Sequence, residues 1–221
     1  MLQTILSFRK IFLWLVMISL YSGVSAANTK NPAVEQPGVI HAVNVKDSLQ
    51  IVRLINRARQ EIEEDNSLQA KIKFFATIEN VIHLARKTGW LVMTGKKINR
   101  VGEQLRREAR YPLALWLHKK SIEIGKETGN ARLLIVSYND LGVVFRRIDS
   151  YKKAMEYHLK ALRLATQTHD SASIAIAVNS IGNVNLMLGE YDKALQYFKN
   201  HEKKYSKKKI SLYSDSNYLI V

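Results

Sequence analysis

The chain has 221 residues, 34 Lys and Arg against 19 Asp and Glu for a formal charge of +15, and a hydrophobic content of 47%. That length holds one domain or one repeat array, and that apolar content supports a sizeable core rather than wholesale disorder. The absence of Cys excludes disulfides, thiolate metal sites, Cys nucleophiles and a lipid-modified N-terminal Cys; three Pro and ten Gly argue against collagen, Pro-rich linkers and most all-β sandwiches.

Residues 1–26 read as a secretory signal. Arg9 and Lys10 precede the apolar run Ile11–Leu20, and Val24-Ser25-Ala26 has the small-x-small pattern of a cleavage site. The run is too short to cross a hydrocarbon core of ~30 Å comfortably. Cleavage after Ala26 removes two positive charges, taking +15 to +13. An uncleaved anchor is the alternative, and it is the only expected membrane attachment. Residues 27–46, with Pro32 and Pro37, read as an extended linker.

The rest of the chain repeats. Gly102, Gly142 and Gly182 are 40 residues apart, as are Tyr111, Tyr151 and Tyr191, and Ala114, Ala154 and Ala194. Thr88, Thr128 and Thr168 mark a connector at the same period, and His118, His158 and Phe198 share a column. With Leu117, Tyr157 and Tyr197 as a sixth, these columns in one register define the architecture. Each unit predicts two helices. In the second helix of the middle unit, Tyr151, Ala154, Met155, His158, Leu159, Ala161, Leu162 and Ala165 are expected to form one apolar face, with Lys152, Lys153, Glu156, Lys160 and Arg163 opposite. Asp149 or Ser150 is placed to cap that helix, Pro112 suits the first turn of its equivalent, and Gly189 suits a helix C-terminus.

These residues resemble the tetratricopeptide repeat: a small residue in the first helix, an aromatic opening the second, then two small residues along it. Ile181-Gly182, Gly189, Tyr191, Ala194 and Tyr197-Phe198 carry the pattern, as do Leu141-Gly142, Tyr151, Ala154 and Ala161, with a weaker copy at Gly102, Tyr111, Ala114 and Ser121. The resemblance implies an all-α, right-handed superhelical solenoid of about three and a half antiparallel hairpins. The expected organisation is a degenerate first hairpin at 47–94, with Ile62 in the glycine column and Phe74 in the alanine column, then repeats at 95–134, 135–174 and 175–202, the last incomplete, and a basic, polar tail at 203–221. The small columns are expected to let helices approach closely at Gly142 and Ala154, where the next helix packs; larger side chains there cost ~1–3 kcal/mol.

No nucleotide-binding, metalloprotease or hydrolase string occurs, and no enzyme activity, cofactor or metal is expected. His118 and His158 sit in a column that Phe198 also serves, so they read as packing residues. The cluster Glu61, Glu63, Glu64 and Asp65 lacks calcium-loop spacing and reads as a solvated helix end. Basic clusters at Arg106-Arg107, Arg146-Arg147 and Lys203–Lys209 point to acidic partners, and an exported chain is not expected to meet nucleic acid. In the tail, His201 stands in the column of Ser121 and Ala161, and the following text is polar; it reads either as a solubilising tail or as the end of a truncated or frameshifted longer repeat protein.

The expected function is an exported, periplasmic or secreted, non-enzymatic scaffold that binds protein or peptide in a concave helical groove. The alternative is a truncated sensory portion of a signal-transduction receptor, such as a sensor histidine kinase. In the resembling family the first helix of each unit lines the concave surface, which implies a peptide-binding groove at Asn99, Arg106, Asn139, Arg146, Asn179 and Asn183. The Asn column lies three residues before each glycine and the Arg column four after, two turns apart on one helix face. Asn offers a donor and an acceptor to an extended backbone, and Arg a planar fork to a carboxylate. Leu186 replaces the arginine in the last unit, so the groove is expected to become apolar there.

Overall fold

The computed structural model describes the backbone of residues 45–205 and the side chains of residues 45–199. The signal expected at 1–26, most of the linker and most of the tail lie outside the described residues. Among the described residues there are eight α-helices and no strand: α1 Val45–Glu64, α2 Leu68–Thr88, α3 Leu91–Arg107, α4 Tyr111–Glu127, α5 Ala131–Arg147, α6 Tyr151–Gln167, α7 Ser171–Met187 and α8 Tyr191–Tyr205. Val45 and Lys46, assigned to the linker by their sequence, are already helical, and residues 203–205 complete α8. No described helix is long and apolar enough to cross a membrane.

The turns recur every 20 residues. Gly89, Ala109, Gly129, Asp149, His169 and Gly189 all have left-handed backbone, with φ of 77°, 57°, 63°, 57°, 54° and 74°. At the second of these, Arg110 N–H donates to Leu105 O at 2.8 Å and Ala109 N–H to Arg106 O at 3.1 Å. This pair of bonds is a Schellman closure, and it recurs at residues 129–130, 149–150, 169–170 and 189–190. The closure satisfies helix-end carbonyls that are otherwise without partners. Helix starts are capped at the next residue in two cases: Asn130 Oδ1 accepts from Leu133 N–H and Asp170 Oδ1 from Ser173 N–H. The cap expected for α6 is absent. Asp149 is the left-handed residue after α5, one position too early, and its carboxylate accepts from the Tyr151 hydroxyl instead; Ser150 makes no side-chain cap.

Consecutive helices pack as hairpins. Beyond that, the backbones of α1 and α3, of α3 and α5 and of α5 and α7 approach closely, whereas even-numbered helices meet through side chains, as Phe75 and Arg86 of α2 meet Trp116 and Glu127 of α4. The odd-numbered helices therefore form the tighter layer, which is the inner one in a curved stack. Their buried positions explain the approach: Thr94, Gly95, Ser137, Ser173, Ala175, Ala177 and Ser180 are all small. The first hairpin departs from the pattern. Its helices run to 20 and 21 residues, it turns through Asp65–Ser67, and large residues fill its small columns, with Ile62 and Phe74 buried and Phe74 against Phe75 and Trp116.

The glycine column meets the helix that follows it, through one ring in each hairpin. A Cβ on Gly102 would lie 2.7 Å from His118 Cε1, and one on Gly142 would lie 2.7 Å from His158 Cε1. At Gly182 the same space holds the Phe198 ring. The close approach at Gly142 is thus within a hairpin, backbone against ring. Close contacts between hairpins fall at Gly95, against Leu133 of α5 as well as Ile124 of its own hairpin, and at Gly125, against Leu134.

Two outcomes are expected in denaturant titrations. Gly142→Leu should lower stability by ~3 kcal/mol or more, because a branched side chain has to displace a buried ring between two helices; Lys152→Ala, on an exposed position, should stay within ~0.5 kcal/mol. Ala109→Gly should raise stability by up to ~1 kcal/mol, since a left-handed alanine carries a steric cost of ~1–2 kcal/mol that glycine lacks, partly offset by glycine's larger unfolded entropy. Equal shifts for the first pair, or a loss at Ala109→Gly, would contradict these assignments.

Candidate functional site

The odd helices share one register of positions three or four residues apart, which lie on one side of each helix. From α3 this register takes Lys96, Asn99, Glu103 and Arg106; from α5, Val136, Asn139, Val143 and Arg146; from α7, Ile176, Asn179, Asn183 and Leu186. The face runs from charged to apolar along the array, and Met187 and Ile176 are more than half exposed at the apolar end. At the other end an open cleft of about 350 Å³ is lined by Asn56, Arg59, Gln60, Glu63, Gln104 and Glu108. Arg59 pairs there with Glu63 at 3.0 Å and with Glu108.

The six residues expected to line the groove are not equivalent. Asn99 is only 3% exposed. Its Oδ1 accepts from His118 Nδ1 at 2.8 Å, and its Nδ2 donates to Asp140 Oδ2 at 2.6 Å. Both ends of the amide are committed inside the protein, so Asn99 offers nothing to a ligand; this corrects its assignment to the groove. Asn139 is half-buried and gives its Oδ1 to His158 Nδ1 at 2.9 Å, a bond that leaves its Nδ2 group unused. Asn179 is exposed and Asn183 half-buried. The reason lies in the ring column. His118 and His158 each need an acceptor for Nδ1–H when buried, and the Asn three residues before the facing glycine supplies it. Phe198 has no N–H, so Asn179 has no such duty. Arg106 and Arg146 are half-buried, and their charges lie near His118 and His158 respectively.

Asp140 is the residue that sequence reasoning missed. It is 8% exposed, between α3 and α5. Burial first, and then the neighbouring Glu103 carboxylate, push its acid up to about 7, against the opposing pull of the Asn99 amide and Arg106. The helical period did contain the signal: Asp140 falls between Ser137 and Val144 on the buried face of α5. The two histidines move the other way. Burial, with help from the nearby arginines, holds His118 and His158 down at about 3, so both are neutral imidazoles.

These shifts oppose each other in pH. An unfolded Asp releases its proton near 3.9 and an unfolded His near 6.5. As pH rises from about 4 to 7, the unfolded chain loses the Asp140 proton while the folded chain keeps it, so stability falls. As pH falls from about 6.5 toward 3, the unfolded chain gains two imidazole protons that the folded chain refuses, so stability falls again. Asp140→Asn preserves an acceptor for Asn99 and removes the first effect. Its urea midpoint should exceed the parent's above pH 7, and the gain should shrink toward zero near pH 4. A gain independent of pH would contradict the buried-acid assignment.

A family model described as tetratricopeptide repeat matches residues 94–167. No curated protein matches the chain. Among solved structures, the TPR domain of Arabidopsis FLU is similar at 18% identity with a TM-score of 0.48, covering 52% of this chain and 96% of that one. The apo form of RapI is similar at 21% identity and a TM-score of 0.45, covering 75% and 69%, and MamA at 19% and 0.42, covering 77% and 100%. With glycine, tyrosine and alanine columns at one period, hairpins stacked in two layers and a family match centred on them, residues 94–167 are tetratricopeptide repeats within an all-α solenoid.

Proposed function

We propose that the chain is a non-catalytic scaffold that binds an extended, acidic segment of another protein along the face of its odd-numbered helices, and that it works outside the cytoplasm. The observation that carries this reading is the graded face itself. Lys96, Arg106 and Arg146 supply positive charge along α3 and α5, and Ile176, Leu186 and Met187 supply apolar surface on α7. A ligand suited to it has carboxylates toward the α3 end and aliphatic side chains toward the α7 end. Asn139, Asn179 and Asn183 are the amides placed to bond its backbone. The net charge of +15 favours such a partner over a basic one. The signal-like sequence of residues 1–26 supports export.

The test is a partner peptide recovered by pull-down with the full chain, its affinity measured at several salt concentrations. Asn139→Ala combined with Arg146→Ala should weaken binding about tenfold or more, and the parent's affinity should fall as salt screens the arginine. Undiminished affinity in a double variant that melts normally would place the ligand elsewhere.

A further inference from the structure

The two hairpin junctions inside the array share one contact that the last hairpin lacks. Tyr111 and Leu115, at the start of α4, pack in the cluster that holds Val144 of α5. Forty residues later, Tyr151 and Met155 of α6 pack in the cluster that holds Val184 of α7. In α4 and α6, then, a tyrosine and an aliphatic residue one turn on are partly buried in a cluster that also holds a valine of the following odd helix. Tyr191 and Leu195 repeat that pair on α8, where they are 70% and 48% exposed, with Leu188 beside them at 49%. In the sequence, Asp215 stands forty residues after Ala175 and eighty after Ile135, both of which are buried apolar residues.

We propose that this face of α8 is a second binding surface, separate from the inner face, and that its occupant is an amphipathic helix of another protein that docks antiparallel to α8 as the next odd helix would. The established α6–α7 interface defines the apolar side of that helix: aliphatic residues spaced as Ile181 and Val184 are on α7. Charge defines its flank. Lys199 is exposed on the later half of α8, and the sequence of that half continues basic, with Lys203 and Lys204. In an antiparallel arrangement that half meets the occupant's N-terminal turns, where acidic residues also suit the helix dipole. Pairing with a second copy brings two +15 chains together and is disfavoured by the same charge.

The probe is a labelled peptide with the chain's own sequence from Asp170 to Leu188, in which the exposed Ile176 and Asn179 are both Glu or both Lys. Fluorescence anisotropy at low salt with the full chain should show saturable binding of the Glu form and binding about fivefold or more weaker for the Lys form. Leu195→Glu, at an exposed position that leaves melting unchanged, should weaken the Glu form about tenfold or more, as expected for placing a charge in an apolar contact. No binding of the Glu form, equal affinity for Leu195→Glu, or a dimer of the parent that Leu195→Glu dissolves would each overturn the proposal, the last by making a second copy the occupant.

Discussion

A helix backbone laid against a buried ring is the contact on which the array depends. With no Cβ at Gly102 or Gly142, the imidazole of His118 or His158 lies where a methyl group would otherwise stand. A buried imidazole must stay neutral, because desolvation of the cation is costly, and its remaining N–H must find an acceptor. That requirement reaches back across the hairpin to Asn99 and Asn139. One steric choice in the odd helix thereby sets the residue in the even helix, its protonation state and a second residue in the odd helix. The last unit shows the dependency from the other side: the ring is Phe198, the hydrogen-bonding demand disappears and Asn179 is exposed.

The same hairpin contact extends between units through Asp140. Asn99 holds it from α3 while Glu103 and Arg106 act on its charge, so the electrostatics of the inner face and the junction between the second and third hairpins are linked. Arg106 has a mixed role here. Its charge steadies an ionised Asp140, yet it works against protonating His118. Exposed ion pairs such as Arg86 with Glu127 and Lys120 with Glu79 run along the outer layer. At their exposure each contributes ~0–1 kcal/mol, so they trim the array rather than hold it.

Periodicity made the fold legible in the sequence. Columns of Gly, Tyr, Ala and Thr at 40 residues located the hairpins and their connectors, because a repeat has to satisfy the same packing at each copy. The partners within a column pair were harder to read. Gly142 and His158 were each recognisable as packing residues, but that one packs on the other is a fact of two helices meeting, which spacing along one chain does not state. The Asn column illustrates the same limit at the candidate site. Recurrence of Asn99, Asn139 and Asn179 is equally consistent with a ligand's demand and with an internal one, and the ring column decides between them. Of the left-handed turns, the sequence marked Gly189 as a helix end; at Ala109, Asp149 and His169 the side chains conceal the conformation that the period demands.

A repeat array solves the same burial problem at each junction, so its ends are where the solution is left over. At the first end, large residues replace the small columns: Phe74 stands where Ala114 stands, and α1 and α2 are lengthened, so the hairpin fills its own space. At the other end, α8 keeps the Tyr and aliphatic pair that elsewhere receives a valine. One end is thus finished by bulk, and the described part of the other retains the chemistry of an interior junction. The inner face changes in the same direction, from Lys96 and Arg106 to Ile176 and Leu186. Apolar surface is therefore concentrated on the last described hairpin, at Ile176, Met187, Leu188, Tyr191 and Leu195, and on the reading proposed above a ligand's aliphatic side chains meet α7 while its carboxylates lie along α3 and α5. Such a division separates the sources of affinity and orientation, because aliphatic burial is insensitive to direction along the groove whereas the basic residues at one end are not.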